Sequence, residues 1–462
     1  MYHLRCRLAP ATASRPCERL AGGKPKAGRR RNFARLGWKA LTGLSAALLL
    51  AYGIVVGTVG FHPRPLNDAR LQMPAPKPRL AGRLLGKPDV RALIAGSNLL
   101  NLADSRFEIR RGDSCFTFQT TLDPVLQQFL FQRLDRKNSR YIGIVVMDPA
   151  DGRVLAMAGY DKANPDGNPC LDSRFPAASI FKIITAAAAV ETRDLEPDSI
   201  LNFRGGMHTL YKSQIDANPA KHANRVTLKD SFARSINPIF GKLGALYVGP
   251  DVLGAYADAF GFNREIDFEL PIRPSRLELS GQRFEVAEIA SGFNRTTRIS
   301  PLHGAMIAAV ILNRGRLIEP SVVDWIVNDS GQTVYQTKTE FGDQVIEPET
   351  AKILLELMQA TVKSGTAHKE FQKHHGDKVL SRLEIGGKTG SMGDGSAETR
   401  YDWFVGYARE PHAKGQVVFA VVVAHEDYIG TRAAAYAAMA IKEYFKGHFA
   451  KLDHQEPLAP RS

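Results

Sequence analysis

Residues 176–190 read PAASIFKIITAAAAV, and this stretch carries the fold prediction. A proline before a run of helix formers marks a helix start, so the pattern places Ser179 in the first turn and Lys182 three residues later on the same face. The rest of the helix is apolar on every side, which is typical of a buried central helix. Burial lowers the pKa of a lysine, and a neutral lysine can take the proton of a serine hydroxyl. The stretch therefore predicts a serine nucleophile with its base, and first-turn amides that favour an oxyanion nearby.

Ser-x-x-Lys by itself arises by chance in a chain of this length, and a solvated lysine beside an N-capping serine is its ordinary interpretation. Two further motifs favour a catalytic one. Ser235-Ile-Asn237 lies between two helical patterns. Lys388-Thr389-Gly390-Ser391 ends a strand-like stretch and supplies a cation, two hydroxyl groups and a glycine that lets a ligand approach the backbone. A similar Lys363-Ser364-Gly365 ends the helical pattern 348–363 and is interpreted as a helix C-cap.

Strand patterns lie on both sides of a helical middle, which spans residues 180–360. An amphipathic helix opens at Asp123-Pro124 and runs through Leu134. Strands are predicted at 106–110, 115–118, 141–147, 153–157, 316–326, 333–336, 383–390, 402–408 and 416–425, and a final helix at 431–446. Strands at the two ends with helices between them predict an α+β fold, in which an antiparallel sheet is flanked by helices and an all-helical subdomain.

The order Ser-x-x-Lys, Ser-x-Asn, Lys-Thr-Gly is the signature that penicillin-binding proteins and serine β-lactamases share. Residues 118–447 resemble the transpeptidase domain of penicillin-binding proteins, whose β-lactamase-like fold is then expected here. The other matching stretches are 120–127, 145–159, 297–303, 345–350, 364–367 and 403–408.

The resemblance implies a serine-type D,D-transpeptidase that cross-links peptidoglycan stem peptides ending in D-Ala-D-Ala and is acylated by β-lactams. Ser179 would attack the penultimate carbonyl with Lys182 as base. Ser235, held with Lys182 and Asn237, would relay a proton to the departing D-Ala. No metal or organic cofactor is implied.

The third motif would complete the site. The resemblance implies that Lys388, Thr389 and Ser391 bind the terminal carboxylate, with Gly390 in the same substrate-binding strand. The backbone amides of Ser179 and Ser391 would form the oxyanion hole.

Departures from the family pattern leave alternatives open. The segment before residue 118 leaves no room for a glycosyltransferase domain, so a monofunctional enzyme is expected, and residues 62–117 are short for the usual non-catalytic module. Residues 176–183 also resemble the nucleophile motif of class D β-lactamases. A D,D-carboxypeptidase or β-lactamase, which hydrolyses the same acyl-enzyme, is one alternative, and a non-catalytic β-lactam sensor or scaffold is another.

Charge and hydropathy predict a membrane anchor. The net charge is +14, and much of it lies in residues 1–39, which contain eleven Lys and Arg and one acid, Glu18. This basic tail ends at the uncharged run 40–61. Its 22 residues suffice for the ~30 Å hydrocarbon core of a bilayer, whereas the apolar region of a cleavable signal peptide has only ~7 to 15 residues. A single-pass protein of the bacterial inner membrane is expected, with a cytoplasmic N-terminus and a periplasmic or extracytoplasmic catalytic domain. Nucleic-acid binding is disfavoured.

The predicted organisation follows from these boundaries. It comprises a basic cytoplasmic tail (1–39), a transmembrane anchor (40–61), a proline-rich spacer with a small N-terminal module (62–117), the transpeptidase domain (118–447) and a C-terminal tail (448–462). The expected partners are stem peptides, β-lactams, the lipid bilayer and a glycan-polymerising membrane protein. Cys115 and Cys170 lie beyond the anchor, where a disulfide and two free thiols are equally open.

Overall fold

Strands at the two ends of the chain enclose a helical middle, as the sequence pattern predicts. The computed structural model describes residues 84–216, 223–393, 395, 399–411 and 415–455. The strands are β1 Arg106–Arg111, β2 Ser114–Thr120, β3 Ser139–Met147, β4 Val154–Asp161, β5 Phe175–Pro176, β6 Ile200–Phe203, β7 Asn224–Thr227, β8 Arg298–Ile299, β9 Arg316–Ile318, β10 Val323–Asn328, β11 Thr333–Gln336, β12 Phe341–Gln344, β13 Glu384–Gly393, β14 Arg400–Arg409 and β15 Gln416–His425.

Helices cover both faces of the main sheet and form the middle of the chain. They are α1 Lys87–Leu93, α2 Pro124–Phe131, α3 Lys182–Arg193, α4 Lys212–Asp216, α5 Leu228–Ala233, α6 Asn237–Lys242, α7 Pro250–Ala259, α8 Arg283–Ser291, α9 Pro301–Leu312, α10 Pro348–Lys363, α11 His368–Gln372 and α12 Ala433–Gln455. Short 3₁₀ turns lie at Ala178–Phe181 and Leu380–Arg382, and a π-helical turn at Leu243–Val248. The final helix runs to Gln455, beyond its predicted end at 446, because Phe445 and Phe449 still have buried surface to pack against.

Five antiparallel strands form the main sheet in the order β13-β14-β15-β3-β4. The strand sequences are apolar at consecutive positions because both faces of this sheet are covered. In β3, Tyr141, Val145 and Met147 belong to one core cluster. Ile142, Ile144 and Val146 belong to another on the opposite side. The period of two along the strand thus divides one apolar run between two cores.

The two sides of the main sheet carry different helices. On the front side, α9 packs on β3, β14 and β15, and α3 lies in the same core cluster. On the back side, α12 packs on β14 and β15 together with α2. Residues 182–190 of α3 are buried on every side, which confirms the prediction of a central buried helix.

A second, four-stranded sheet joins distant parts of the chain. Its order is β1-β2-β10-β11, so the hairpin of residues 106–120 is extended by residues 323–336. From the sequence, residues up to 117 were expected as a small module before the catalytic domain. The structure pairs the hairpin with strands from the middle of that domain because Phe116 and Phe118 need an apolar partner, which Ile326 provides opposite Phe118.

Cys115 and Cys170 are both free thiols, so the disulfide that the sequence left open does not form. The Cys115 sulfur lies 3.8 Å from a carboxylate oxygen of Glu108. Cys170 is buried between strands, with its sulfur 3.4 Å from the Ile144 carbonyl oxygen, and burial raises the pKa of its thiol to about 12. The buried thiol therefore stays protonated and unreactive.

Several predictions fall outside the described residues. These are the cytoplasmic tail 1–39 with its cysteines, the anchor 40–61 and the spacer up to residue 83. From residue 84 onward, none of the described helices combines the length and the apolar character needed to cross a bilayer.

Candidate active site

Ser179 lies in the 3₁₀ turn Ala178–Phe181, directly before α3. The sequence predicted a helix that starts at Pro176, but this proline sits in β5 and pairs with β8. The turn is fixed by a hydrogen bond from the Ala177 amide to the Thr297 carbonyl oxygen (2.9 Å) and by a left-handed Ala178 with φ of 47°. A left-handed alanine costs about 1 kcal/mol or more, so its surroundings must hold it in place. The serine remains partly exposed at the head of a buried helix.

Lys182 is fully buried, with a relative exposure of 0%. Its Nζ lies 2.8 Å from Ser179 Oγ and 2.8 Å from Asn237 Oδ1, and it also contacts the carbonyl oxygen of Ser291. Burial lowers the pKa of Lys182 well below its ordinary value, and the nearby charge of Lys388 lowers it further. The loss of hydration disfavours the charged form of the amine.

The three neighbours of Lys182 match the hydrogen-bonding capacity of a neutral amine. The Asn237 and Ser291 oxygens only accept hydrogen bonds, so they take the two N–H groups of the amine. When the amine is neutral, its lone pair then faces Ser179 Oγ, which lies 2.8 Å away and can donate its O–H. The geometry thus orients the amine to accept the serine proton.

Ser235 and Asn237 reach the site from the turn between α5 and α6, where the sequence placed them. Ser235 is left-handed, with φ of 56°. Asn237 starts α6, donates its backbone N–H to the Met207 carbonyl (2.7 Å) and its side-chain Nδ2 to the His208 carbonyl (2.9 Å). These bonds fix the amide orientation and direct Oδ1 to Lys182.

Lys388 lies within β13, because the strand continues to Gly393 and does not end at the motif as predicted. Side chains alternate along it: Lys388 and Gly390 are buried, Thr389 is partly exposed and Ser391 is exposed. Lys388 Nζ donates to Ser235 Oγ (3.0 Å) and to the Thr389 carbonyl (2.9 Å). Burial lowers the pKa of Lys388 to about 7. All three motifs therefore meet through Ser179, Lys182, Asn237, Ser235 and Lys388 in one cleft.

Residues 142–443 match the family model described as penicillin binding protein transpeptidase domain. The chain belongs to this family. Among curated relatives, penicillin-binding protein PbpB of Mycolicibacterium smegmatis is 27% identical over 308 residues, which are 60% of this chain and 44% of the relative. Peptidoglycan D,D-transpeptidase PbpA of the same organism is 25% identical over 382 residues, 70% of this chain and 72% of the relative. The chain thus spans less than half the length of PbpB.

Solved structures of penicillin-binding proteins share the fold. The D,D-transpeptidase domain of a peptidoglycan glycosyltransferase from Eggerthella lenta superposes with a TM-score of 0.59 at 27% identity, covering 72% of this chain and 83% of the other. Penicillin-binding protein A of Mycobacterium tuberculosis, solved as an imipenem acyl-enzyme complex, has a TM-score of 0.57 at 23% identity, covering 71% and 79%. The predicted penicillin-binding transpeptidase fold is confirmed, whereas the residue roles that the family resemblance implies stay predictions.

Two glycines let the elements of this site approach one another. A Cβ at Gly292 would overlap the Ala178 carbonyl oxygen, and φ there is 66°. A Cβ at Gly390 would lie 3.2 Å from Trp403 Cβ and 3.4 Å from Ala178 Cβ. The sequence suggested that Gly390 admits a ligand, and the structure shows that its missing side chain lets β13 pack against the nucleophile turn.

Sequence reasoning missed several residues at the rim. Thr366 Oγ1 lies 2.5 Å from Thr389 Oγ1 and 3.3 Å from the Ala233 carbonyl oxygen. The family landmark 364–367 could have pointed to Thr366. Arg400 Nε donates to Ser391 Oγ (3.2 Å), and only the pairing of β14 with β13 brings it there. Across the described residues, no three His, Cys, Asp or Glu side chains are grouped so as to hold a metal ion.

Proposed function

We propose that this chain is a peptidoglycan D,D-transpeptidase that works through an acyl-enzyme on Ser179. The observation that supports this is the fully buried Lys182, whose Nζ lies 2.8 Å from Ser179 Oγ and bonds the oxygens of Asn237 and Ser291. A base with a matched pKa within hydrogen-bond reach is what a serine nucleophile requires. The PbpA relatives are named peptidoglycan D,D-transpeptidase, which supports this assignment.

In acylation, Ser179 Oγ would bond to the carbonyl carbon of the penultimate D-Ala while its proton passes to Lys182 Nζ. The negative charge of the tetrahedral intermediate would be met by the Ser179 and Ser391 amides. The C–N bond to the terminal D-Ala would then break. Ser235 would give its proton to the leaving amine and would be reprotonated from Lys388, which donates a hydrogen bond to it. The product is an ester on Ser179 and free D-Ala.

The two lysines would have different roles, with Lys182 as the base and Lys388 as the group that binds the substrate carboxylate. Lys388 donates a hydrogen bond to Ser235 and lies beside the partly exposed Thr389 and the exposed Ser391, where a substrate carboxylate would bind. A positive Lys388 would attract that carboxylate and, at the same time, keep Lys182 uncharged by repulsion. The site would thereby combine a base of lowered pKa with a nearby anchor for the carboxylate.

In the second step, an amine from another stem peptide would attack the ester carbonyl and release Ser179 as a new peptide bond forms. A hydrolase would need a dedicated base for water. Among the described residues, Lys182 Nζ bonds the Ser179 hydroxyl, the Asn237 amide oxygen and the Ser291 carbonyl oxygen, none of which is a carboxylate. A long-lived acyl-enzyme that waits for an amine is therefore favoured over a carboxypeptidase or β-lactamase.

The test is labelling of the full chain with a fluorescent penicillin, followed for hours. Stable labelling that is lost in Ser179→Ala is expected. Rapid loss of label with appearance of hydrolysed drug would replace the transpeptidase with a β-lactamase, and absence of labelling would overturn every acylation mechanism. Cross-linking of an acyl donor to an added amine would separate an enzyme from a β-lactam sensor or scaffold.

We also propose that the enzyme is held at the bacterial inner membrane by residues 40–61, with the catalytic domain outside the cytoplasm. The support is the uncharged 22-residue run and the basic tail that precedes it. This location would bring it to its peptidoglycan substrate and beside a glycan-polymerising membrane protein. Extraction of the full chain from membranes by detergent but not by alkaline carbonate is expected, and release by carbonate would contradict the anchor.

A further inference from the structure

A loop next to Ser179 contacts both the turn that carries this serine and strand β13. We call residues 291–297 the bridging loop; it follows α8 and leads into β8. At its start, the Ser291 carbonyl accepts a hydrogen bond from Lys182. At its end, the Thr297 carbonyl accepts one from the Ala177 amide (2.9 Å). Both ends of the loop are thus hydrogen-bonded to residues that flank the turn Ala178–Phe181.

Close packing also holds the bridging loop against the turn that carries Ser179. Gly292 presses on the peptide between Ala178 and Ser179, because a Cβ there would overlap the Ala178 carbonyl and lie 2.8 Å from the Ser179 amide nitrogen. Asn294 Nδ2 donates to Thr297 Oγ1 (2.9 Å) and stiffens the loop internally. A displacement of the bridging loop would therefore displace the Ser179 amide.

The side chain of Arg295 links the bridging loop to strand β13. Its Nε donates to the Gly393 carbonyl oxygen (2.8 Å), at the last residue of β13. The guanidinium carbon would lie 3.5 Å from a Cβ placed on Gly395. Gly393 follows Ser391 by two residues in an extended strand, so Arg295 holds the strand next to the exposed end of the third motif.

The two ends of β13 are held by different means. At the inner end, Gly390 packs on Ala178, and Trp403 Nε1 of the neighbouring strand donates to the Pro176 carbonyl (2.9 Å). These contacts are buried. The outer end of β13 pairs with β14 as far as Gly393, and from the nucleophile side it accepts the hydrogen bond of an exposed arginine.

We propose that Arg295 is a positioning residue that fixes the separation between the backbone amides of Ser179 and Ser391. The inference rests on the proposed function, in which these amides receive the oxyanion. Oxyanion donors act over a narrow range of about 2.7–3.1 Å, and a misplacement of about 1 Å can cost about 100-fold in rate. Arg295 acts through Gly393 and the strand, and does not contact the reacting atoms.

The experiment measures penicillin acylation of the full chain by stopped flow over a range of drug concentrations. This separates the limiting acylation rate constant from the dissociation constant of the encounter complex. In Arg295→Ala, the limiting rate constant is expected to fall about 10- to 100-fold with little change in the dissociation constant. Arg295→Lys, which keeps a donor for Gly393, should recover part of the loss. The melting temperature of both variants should stay close to that of the parent.

Arg298→Ala is the matched control, since it removes an exposed arginine from the same segment without touching β13. It should acylate at the parental rate. A limiting rate constant of Arg295→Ala equal to that of the parent would overturn the proposal. A rise in the dissociation constant alone would also overturn it, because Arg295 would then be a substrate ligand. A similar loss of melting temperature in Arg295→Ala and Arg295→Lys would overturn it as well, because the role of Arg295 would then be structural. An unlabelled parent would overturn the proposed function as well, whereas a labelled parent with an unaffected variant overturns only this inference.

Discussion

The front and back sides of the main sheet are both densely packed, but the two buried lysines of the described residues lie on the front side. Behind the sheet, α12 and α2 contribute apolar side chains such as Phe445 and Leu130. In front of it, the cluster that includes α3 and α9 also surrounds Lys182 and Lys388, each fully buried. Burying an amine costs stability, and a lowered pKa is the result. The comparison teaches that the back side serves stability, whereas the front side gives up stability to hold reactive groups.

The largest expected effect is on the chemistry of the front side. Lys182→Met should reduce the penicillin acylation rate about 1000-fold, because the proton acceptor for Ser179 is lost. Stability should change little, since the cost of burying an amine and the hydrogen bonds to Asn237 and Ser291 are lost together. Stopped-flow acylation and thermal melting test both expectations.

Lys363→Met removes an exposed lysine from the similar Lys-Ser-Gly sequence and is the control, with acylation expected to be unchanged. Equal acylation rates in Lys182→Met and the parent would contradict lysine as the base.

The next effect concerns the back side and is confined to stability. Phe445 is fully buried between the sheet and neighbouring aromatic rings. Phe445→Ala should lower the free energy of unfolding by about 3–5 kcal/mol through lost burial and a cavity. The acylation rate constant of the folded protein should remain parental. Phe341→Ala, at a side chain that is 41% exposed, should cost less than about 1 kcal/mol. Urea unfolding measures both, and a large acylation defect in folded Phe445→Ala would break the division between the two sides.

The pH dependence of stability should separate the two sides further. The pKa of Lys388 is lowered from 10.5 to about 7 in the folded protein. Between these values the unfolded chain binds more protons than the folded one, so this group's penalty on stability shrinks as the pH rises. From pH 7 to 9, the parent should gain ~2 kcal/mol of unfolding free energy relative to Lys388→Met. Phe445→Ala should show no such relative gain. A difference that stays constant with pH in urea unfolding would exclude a lowered pKa.

The smallest effect is expected at the exposed rim of the front side. Arg400 donates one hydrogen bond to Ser391 Oγ from an exposed position. Arg400→Ala should weaken acylation only about 2- to 5-fold, in keeping with a net value of about 1 kcal/mol for one such bond, and should leave the melting temperature unchanged. A loss of 100-fold or more in acylation assays would show that Arg400 does more than orient the serine hydroxyl.

Much of the architecture was predictable because its signals are local. The apolar run 141–147, the turn after it and the helix 348–363 follow from periodicity and from turn or capping residues, and the structure has them close to the predicted bounds. Local signals were weaker where partners are distant. The start of α3 was predicted too early, because the pairing of Pro176 with residue 298 competes with the helix.

By itself, the sequence determined that a serine and a lysine share the head of a buried helix, and that two more motifs accompany them in a fixed order. Only the tertiary structure decided what surrounds them. The Ser291 carbonyl that completes the contacts of Lys182 is 109 residues away in the chain, and Gly393, bound by Arg295, is 98 residues from its partner. Such contacts arise from the packing of whole helices and strands. Periodicity and capping act over a few residues and carry no information about which distant backbone oxygen will face a given side chain.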